Sequence, residues 1–303
     1  MEFRILSLLP AATEIVYLLG LQESLVGVSH ECDYPSKAKL KPRVTSSPIS
    51  NNLSSLEINT QVAKLRHKGS GVFHISEEIL KNLRPNLILT QELCDICAIS
   101  WTEVKKAAKV LDANVKIISL EPESIGDILE NILLVGKICD RKKKAIKIVD
   151  DLKGRLGMVE LRLSRFARND DKRVLVIEWL EPIMNAGHWV PEMVERAGGV
   201  SVKMNNGHKS YPITLEQIVK ADPNVVIFAP CGFNIVRTLS EKYLIEDLVK
   251  KIDNEKVKYF LMDGNAYLTR PGPRIIEGVE ILAEILHPEV FEREHNELDW
   301  RNL

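Results

Sequence analysis

Apolar residues in this chain gather in short runs separated by longer stretches of helical periodicity. The runs Arg4–Ser7, Leu25–Val28, Val72–His74, Leu87–Thr90 and Lys116–Leu120 predict strands buried on both faces. Between them the spacing predicts a helix from about Thr13 to Leu19, stopped by Gly20. Ser54-Ser55-Leu56-Glu57 reads as a capping box opening a helix to about Lys68. Ser76 caps a short helix, and another begins near Ser100. Strands alternating with helices predict an α/β fold, with a mostly parallel sheet covered on both sides.

The second half repeats the plan. Glu78, Pro85 and Asn86 match Glu216, Pro223 and Asn224, each at an offset of 138. In both places a short amphipathic helix ends at Pro-Asn and feeds an apolar strand, and Ser76 and Thr214 share the cap position. Glu14-Ile15-Val16 before Gly20 has its counterpart in Glu192-Met193-Val194 before Gly198. Between the halves Ile146, Val149, Leu152, Leu156, Val159 and Leu163 recur at helical spacing. With Asp140 as N-cap, that helix reaches Arg168 and spans roughly 40 Å at 1.5 Å per residue. The expected layout is an N-terminal α/β lobe at 1–138, a linker helix at 139–170 and a C-terminal α/β lobe at 171–303. Two Rossmann-like lobes on one long helix leave a ligand cleft between them.

Composition narrows the functions. Forty-one Lys and Arg against 42 Asp and Glu give a net charge of −1, which argues against a nucleic-acid binder. No apolar stretch reaches the roughly 18–20 residues of a membrane span, so no membrane insertion is expected. The opening MEFRILSLLPAATEIVYLLG reads as strand and helix of the fold, not as a secretory leader: one basic residue precedes the run, beside an acidic one, and Pro10 comes early. Five cysteines, an odd number, fit reduced thiols or metal ligation better than a disulfide framework.

In open α/β sheets ligands collect outside the carboxyl ends of the strands. There the chain places Pro10, Ala11 and Thr13, where a helix N-terminus offers free N–H groups or Thr13 simply caps. It places His30, Glu31, Cys32 and Tyr34 after the second strand, and Gln91, Glu92, Cys94 and Cys97 after Leu87–Thr90. The second half supplies Glu178, Trp179, His188, Trp189, Cys231, Gly232, Phe233, Asn265, Tyr267 and Arg270. A few polar groups amid aromatic faces is the make-up of a small-molecule site. Trp179, Trp189, Phe233 and Tyr267 read either as platforms for a flat macrocycle or as lobe core. Arg270 suits a ligand carboxylate or phosphate, or fixes its own loop.

Taken together, ILSLLPAATEIVYLLGL, VGVSHECDYP, LILTQELCDIC, VIEWLEP, AGHWVPEMVERAGG, APCGFN and DGNAYLTRPGPR resemble the class III periplasmic binding proteins of the iron-complex and cobalamin type. The resemblance covers about residues 3 to 290 and is nearest the signal-less branch usually labelled cobalamin-binding protein. It implies two lobes joined by a long helix and a large chelate in the cleft: cobalamin, another corrinoid, haem or an iron-siderophore. It also implies docking to an ABC transporter permease through an exposed acidic residue on each lobe, which these motifs do not locate. Family receptors work outside the cell. With no leader or lipobox cysteine read here, the chain is expected in the cytoplasm, or outside it if the true start lies upstream.

The leading expectation is therefore a non-catalytic binder of a corrinoid or related metal chelate, needing no cofactor of its own. It would serve ABC-type uptake or hand the chelate on inside the cell. His30 or His188 would ligate the chelate's metal. Cys94 and Cys97 stay open: pocket wall, buried inert thiols, a redox pair, or with Cys32 and His30 a zinc or iron site. The alternative function is a cytosolic metalloprotein or thiol enzyme using His30, Cys32, Cys94, Cys97 and Glu92.

Overall fold

The computed structural model describes residues 2–50, 52–68, 71–91, 101–109, 111, 115–166 and 171–303. The first part of the chain forms β1 (Ile5–Ser7), α1 (Pro10–Leu18), β2 (Leu25–Val28), a 3-10 turn (Ser36–Leu40), β3 (Thr45–Ser46), α2 (Ser55–His67), β4 (His74–Ile75), α3 (Glu77–Leu83), β5 (Leu87–Thr90), α4 (Trp101–Ala108), β6 (Lys116–Ser119), α5 (Ile125–Ile138) and α6 (Lys142–Phe166). The second part forms β7 (Arg173–Trp179), β8 (Met184–Asn185), β9 (Gly187–His188), α7 (Val190–Arg196), β10 (Val200–Ser201), β11 (Asn205–Asn206), α8 (Leu215–Ala221), β12 (Val225–Phe228), α9 (Ile235–Leu239), α10 (Lys242–Ile252), β13 (Lys258–Met262), α11 (Gly264–Tyr267), α12 (Ile275–Leu286) and β14 (Trp300–Asn302).

These elements divide into two compact units. Unit 1 holds residues 1–53, 57–122 and 126–149, and unit 2 holds 54–56, 123–125 and 150–303. The first third of α6 thus belongs to unit 1 and the rest to unit 2. Its later turns are tied within unit 2 by Arg155 to Glu280, and by Glu160, which pairs with Arg196 at 2.5 Å.

Each unit is built on a parallel sheet. In unit 1 the order is β2-β1-β5-β6. In unit 2 it is β10-β7-β12-β13, with β14 added antiparallel at the far edge and β8 antiparallel to β7. Leu6, Val44, Val62, Leu80, Ile88 and Val104 form a core on one face of the first sheet, and Leu175, Ile177, Ile218, Phe228, Ile245 and Leu261 form its counterpart in the second.

The repeat read from the sequence extends to hydrogen bonds. Helices α3 and α8 both end on a left-handed residue before proline, Arg84 at φ 43 and Asp222 at φ 45. An arginine at the start of the first strand of each sheet, Arg4 just before β1 and Arg173 opening β7, then takes the helix's last carbonyls. Arg4 Nε and Nη2 donate to Leu83 O at 3.1 and 2.6 Å. Arg173 donates to Asp222 O at 2.9 Å and Ala221 O at 2.5 Å. Asn86 N donates to Arg4 O, and Asn224 N to Arg173 O. Asn86 Nδ2 and Asn224 Nδ2 each reach a carbonyl just upstream of the first strand, Glu2 O and Asp171 O, both at 2.9 Å. Ser76 and Thr214 both cap as expected, accepting from Ile79 N and Gln217 N. Gly20 and Gly198 stop α1 and α7 at φ 73 and 80, with the same pair of carbonyl bonds from each glycine and the residue after it.

Several boundaries differ from expectation. α1 begins at Pro10, not near Thr13: proline's fixed φ suits the first helical position, and Thr13 N already donates to Leu9 O at 3.2 Å. Asp140 does not cap α6. It sits at φ 55 in the turn between α5 and α6, and α6 starts at Lys142 and is described to Phe166, the expected end at Arg168 lying outside the described residues. The strand expected at Val72–His74 is β4, shifted to His74–Ile75 and paired antiparallel with β3.

Candidate functional site

The strand ends of unit 1 are lined by small polar groups. Ser7 closes β1 and is fully buried, its Oγ donating to Leu9 O at 2.9 Å. Thr13 is equally buried, its Oγ1 2.9 Å from Ser7 Oγ and 3.1 Å from Cys32 Sγ. Thr13 and Cys32 therefore hold the β1 and β2 ends against each other from inside. Ala11 is buried beside them, and Pro10 is half-buried.

His30 follows β2. Its Nδ1 lies 2.6 Å from Thr45 Oγ1, which also accepts from His30 N and sits 3.0 Å from Ser29 Oγ. The ring tilts against Phe73 with centroids 5.1 Å apart. Nε2 lies 3.1 Å from Glu31 Oε1, and this buried nitrogen has no hydrogen-bond partner among the described residues. Thr90, ending β5, is buried with no hydrogen-bond partner for its hydroxyl among the described residues, and Gln91 beside it is buried. Tyr34 is the exposed aromatic of this edge, at 47%. Glu92, Cys94 and Cys97 lie outside the described residues.

The strand ends of unit 2 are aromatic and ionic. Ser210 Oγ donates to Glu178 Oε1 at 2.8 Å, and Cys231 N donates to Glu178 O at 2.9 Å. Trp179, half-buried, meets Phe233 with ring centroids 5.3 Å apart, and the Arg237 guanidinium lies 4.0 Å above the Phe233 ring. Gly232, at φ 75, turns the loop that carries Phe233. Asn265 N donates to Phe233 O at 3.1 Å. A Cβ on Gly264 would stand 2.5 Å from the carbonyl oxygens of Ala229 and Pro230, so only glycine lets the β13 loop lie against the β12 loop.

His188 occupies the left-handed region at φ 54, held by His188 N donating to His208 O at 2.7 Å and Gly207 N donating to His188 O at 2.9 Å. Its ring stacks on Trp189 at 5.4 Å, and its buried Nδ1 has no hydrogen-bond partner among the described residues. Burial, seconded by Lys209 and His208, holds its pKa below the ordinary histidine value, so the ring is neutral at neutral pH.

Three of the four aromatics read as possible platforms are core instead. Trp189 is 4% exposed, its Nε1 donating to Leu268 O at 2.7 Å, Phe233 is 5% exposed, and Tyr267 is 8% exposed, its hydroxyl donating to Asp299 Oδ1 at 2.8 Å. Only Trp179 keeps an accessible face. Arg270 is half-buried and lowers the pKa of Asp263, which burial has pushed up to about 6. Among the described residues no cluster of three or more His, Cys, Asp or Glu side chains could hold a metal ion.

Ser210, Thr45 and Arg237 were not singled out in the sequence. Each lies far in sequence from the group it serves or on a helix that reads as ordinary surface. Only Arg237, four residues after Phe233 and before Glu241, carries a local signal.

Comparison with known proteins agrees with this layout. The family model described as periplasmic binding protein matches residues 5–257. An uncharacterized ABC transporter substrate-binding lipoprotein of Bacillus subtilis is 24% identical over 95% of this chain and 81% of its own length. A vitamin B12-binding protein of Vibrio cholerae is 26% identical over 91% of this chain and 86% of its own. Among solved structures, a periplasmic heme binding protein from Pseudomonas aeruginosa superposes with a TM-score of 0.75 at 17% identity, covering 100% of this chain and 98% of that one. The periplasmic vitamin B12 binding protein of Vibrio cholerae gives 0.64 at 21%, covering 94% and 96%. With the model matched over most of its length, the chain belongs to the periplasmic binding protein family, whose members bind solutes rather than transform them.

Proposed function

We propose that this protein binds a metal chelate of the corrinoid or haem class through its strand-end loops, as the solute-binding component of an ABC-type importer. Relatives named for vitamin B12 and heme motivate the ligand class, and relatives named as transporter components motivate the permease partner. His188 carries the reading within this chain. It is a neutral imidazole in a left-handed turn, with a buried nitrogen that has no hydrogen-bond partner among the described residues. A buried polar atom without a partner calls for one from outside. Neutral imidazole suits cobalt or iron as an axial ligand. Trp179 supplies an apolar face in the same unit, and Arg270 a cation for a carboxylate or phosphate on the ligand.

Visible-absorbance titration of wild type and His188→Ala with cobalamin and with haemin tests the assignment. The wild type is expected to shift the spectrum of one chelate at a one-to-one ratio, and the variant to abolish that shift. An identical spectrum in both proteins would remove His188 from the metal. A wild type that perturbs neither chelate would reject the ligand class.

A further inference from the structure

We infer that the C-terminal tail, from Pro288 to Leu303, is part of the binding apparatus: through Asp299 and Tyr267 it sets the position of the β13 loop, residues 263–270. The inference builds on the proposed ligand site and assigns a role to a region that the family model does not reach, since that match ends at residue 257.

Chain termini ordinarily fray unless something ties them down. This tail is tied at many points. Glu284, 5% exposed on α12, accepts from His295 Nδ1 at 2.7 Å, Glu294 N at 3.0 Å and Trp300 Nε1 at 2.8 Å. The Arg293 guanidinium lies 4.2 Å over the Trp300 ring, and Arg293 Nε donates to His295 O. From that anchor the chain runs back as β14 beside β13, with Trp300 opposite Met262 and Asn302 opposite Phe260. It is the antiparallel edge of an otherwise parallel run, so its first residues meet the carboxyl end of β13, where the ligand loop begins.

Asp299 stands at that junction and bonds in both directions. Its backbone carbonyl accepts from Asp263 N at 2.9 Å, and its Oδ1 accepts from Tyr267 OH at 2.8 Å. Its Oδ2 accepts from Asn296 N and Nδ2, which fixes the carboxylate on the tail side. The loop so held passes the constraint on. Asp263 Oδ1 accepts from Ala266 N at 2.7 Å, Gly264 rests on the carbonyls of Ala229 and Pro230, and Asn265 N donates to Phe233 O. Phe233 in turn meets Trp179. An unbroken series of contacts therefore runs from the tail to the aromatic face proposed for the ligand. Tyr267 and Asp299 are positioning residues in that series and need touch no ligand.

Tyr267→Phe removes one oxygen and keeps the ring. Asp299→Ala removes the acceptor. Three readouts on these variants and their double variant decide the matter: hydrogen–deuterium exchange of residues 229–233 and 263–270 without ligand, affinity for whichever of cobalamin and haemin the wild type binds, and the melting temperature. Each single variant is expected to exchange faster in both loops and to bind about tenfold more weakly, the double variant no worse than Asp299→Ala, with the melting temperature lowered by no more than a few degrees. Unchanged loop exchange, or a lower melting temperature with unchanged affinity, would overturn the inference and leave the tail a plain structural staple. If the wild type binds neither chelate, the functional reading fails on its own account, and the exchange data still decide whether the tail positions the loop.

Discussion

Strands β5 and β12 hold the same place in their sheets, and position for position they read Leu87-Ile88-Leu89-Thr90 and Val225-Val226-Ile227-Phe228. All eight residues are buried. The first three positions are interchangeable aliphatics. The fourth, at the carboxyl end, differs in kind: a hydroxyl without a hydrogen-bond partner among the described residues in unit 1, a phenyl ring packed in the core of unit 2. Among the described residues beyond the strands, Ser7, Thr13 and Cys32 meet in unit 1, whereas Trp179, Phe233 and Arg237 meet in unit 2. A duplicated frame thus carries two chemistries, and they diverge where the strands stop.

The comparison can be broken most forcefully at Phe228. Replacing it with alanine should cost about 3–5 kcal/mol, the range for emptying an aromatic site in a packed core. A urea melt that moves by less than half of this would mean that the core around β12 is looser than its unit 1 counterpart. The arginine clamps sharpen the frame side of the comparison. Arg4→Ala and Arg173→Ala each uncover helix-end carbonyls, at a cost of about 1 kcal/mol for the exposed Arg4 and about 2 kcal/mol for the more buried Arg173. Equal and negligible losses in the same melts would reduce the shared bonding pattern to coincidence.

Acid–base behaviour should also separate the units, because the following groups of unit 2 have no equivalent among the described residues of unit 1. The carboxylates of Glu277 and Glu284 push His295 up to about 9. A folded pKa above the unfolded value of about 6.5 gives stability that is complete below pH 6.5 and disappears as pH climbs through 9. Burial pushes Asp263 up to about 6, so its contribution likewise falls away as pH rises, here between about 4 and 6. Melting temperature against pH should decline across the upper window in wild type and stay flat there in His295→Gln. Asp263→Asn should remove the lower decline alone. The smallest effect is expected at Thr90→Val, which replaces an unmatched hydroxyl by a methyl and should stabilise the ligand-free protein by about 1 kcal/mol. Destabilisation in the melt would show that the hydroxyl already has a partner.

Much of the frame was legible in the sequence because it is local. The cap positions Ser76 and Thr214, the Pro-Asn turns and the stop glycines all act within a few residues of themselves, and all stand where the spacing put them. Helix starts were less legible. Thr13 looks like a cap, yet proline three residues earlier begins α1, and Asp140 looks like a cap but takes a left-handed turn. The site divided along the same line. That polar and aromatic residues collect past the strands followed from the strand pattern. Whether a given aromatic faces solvent or core did not, because Trp189 and Tyr267 are decided by Leu268 and Asp299, of which Leu268 lies 79 residues away from Trp189 and Asp299 lies 32 away from Tyr267. The arginine clamps reach 79 and 49 residues along the chain to their carbonyls, and no window of sequence carries that pairing.

The central claim is that the strand-end loops bind a metal chelate delivered from outside, not an ion held by protein side chains. Calorimetric titration with cobalamin and haemin, on protein whose metal content has been measured untreated, tests it most directly. The account predicts saturable one-to-one binding of one of these chelates and no stoichiometric metal beforehand. Tightly held zinc or iron in the untreated protein, with neither chelate bound, would contradict it.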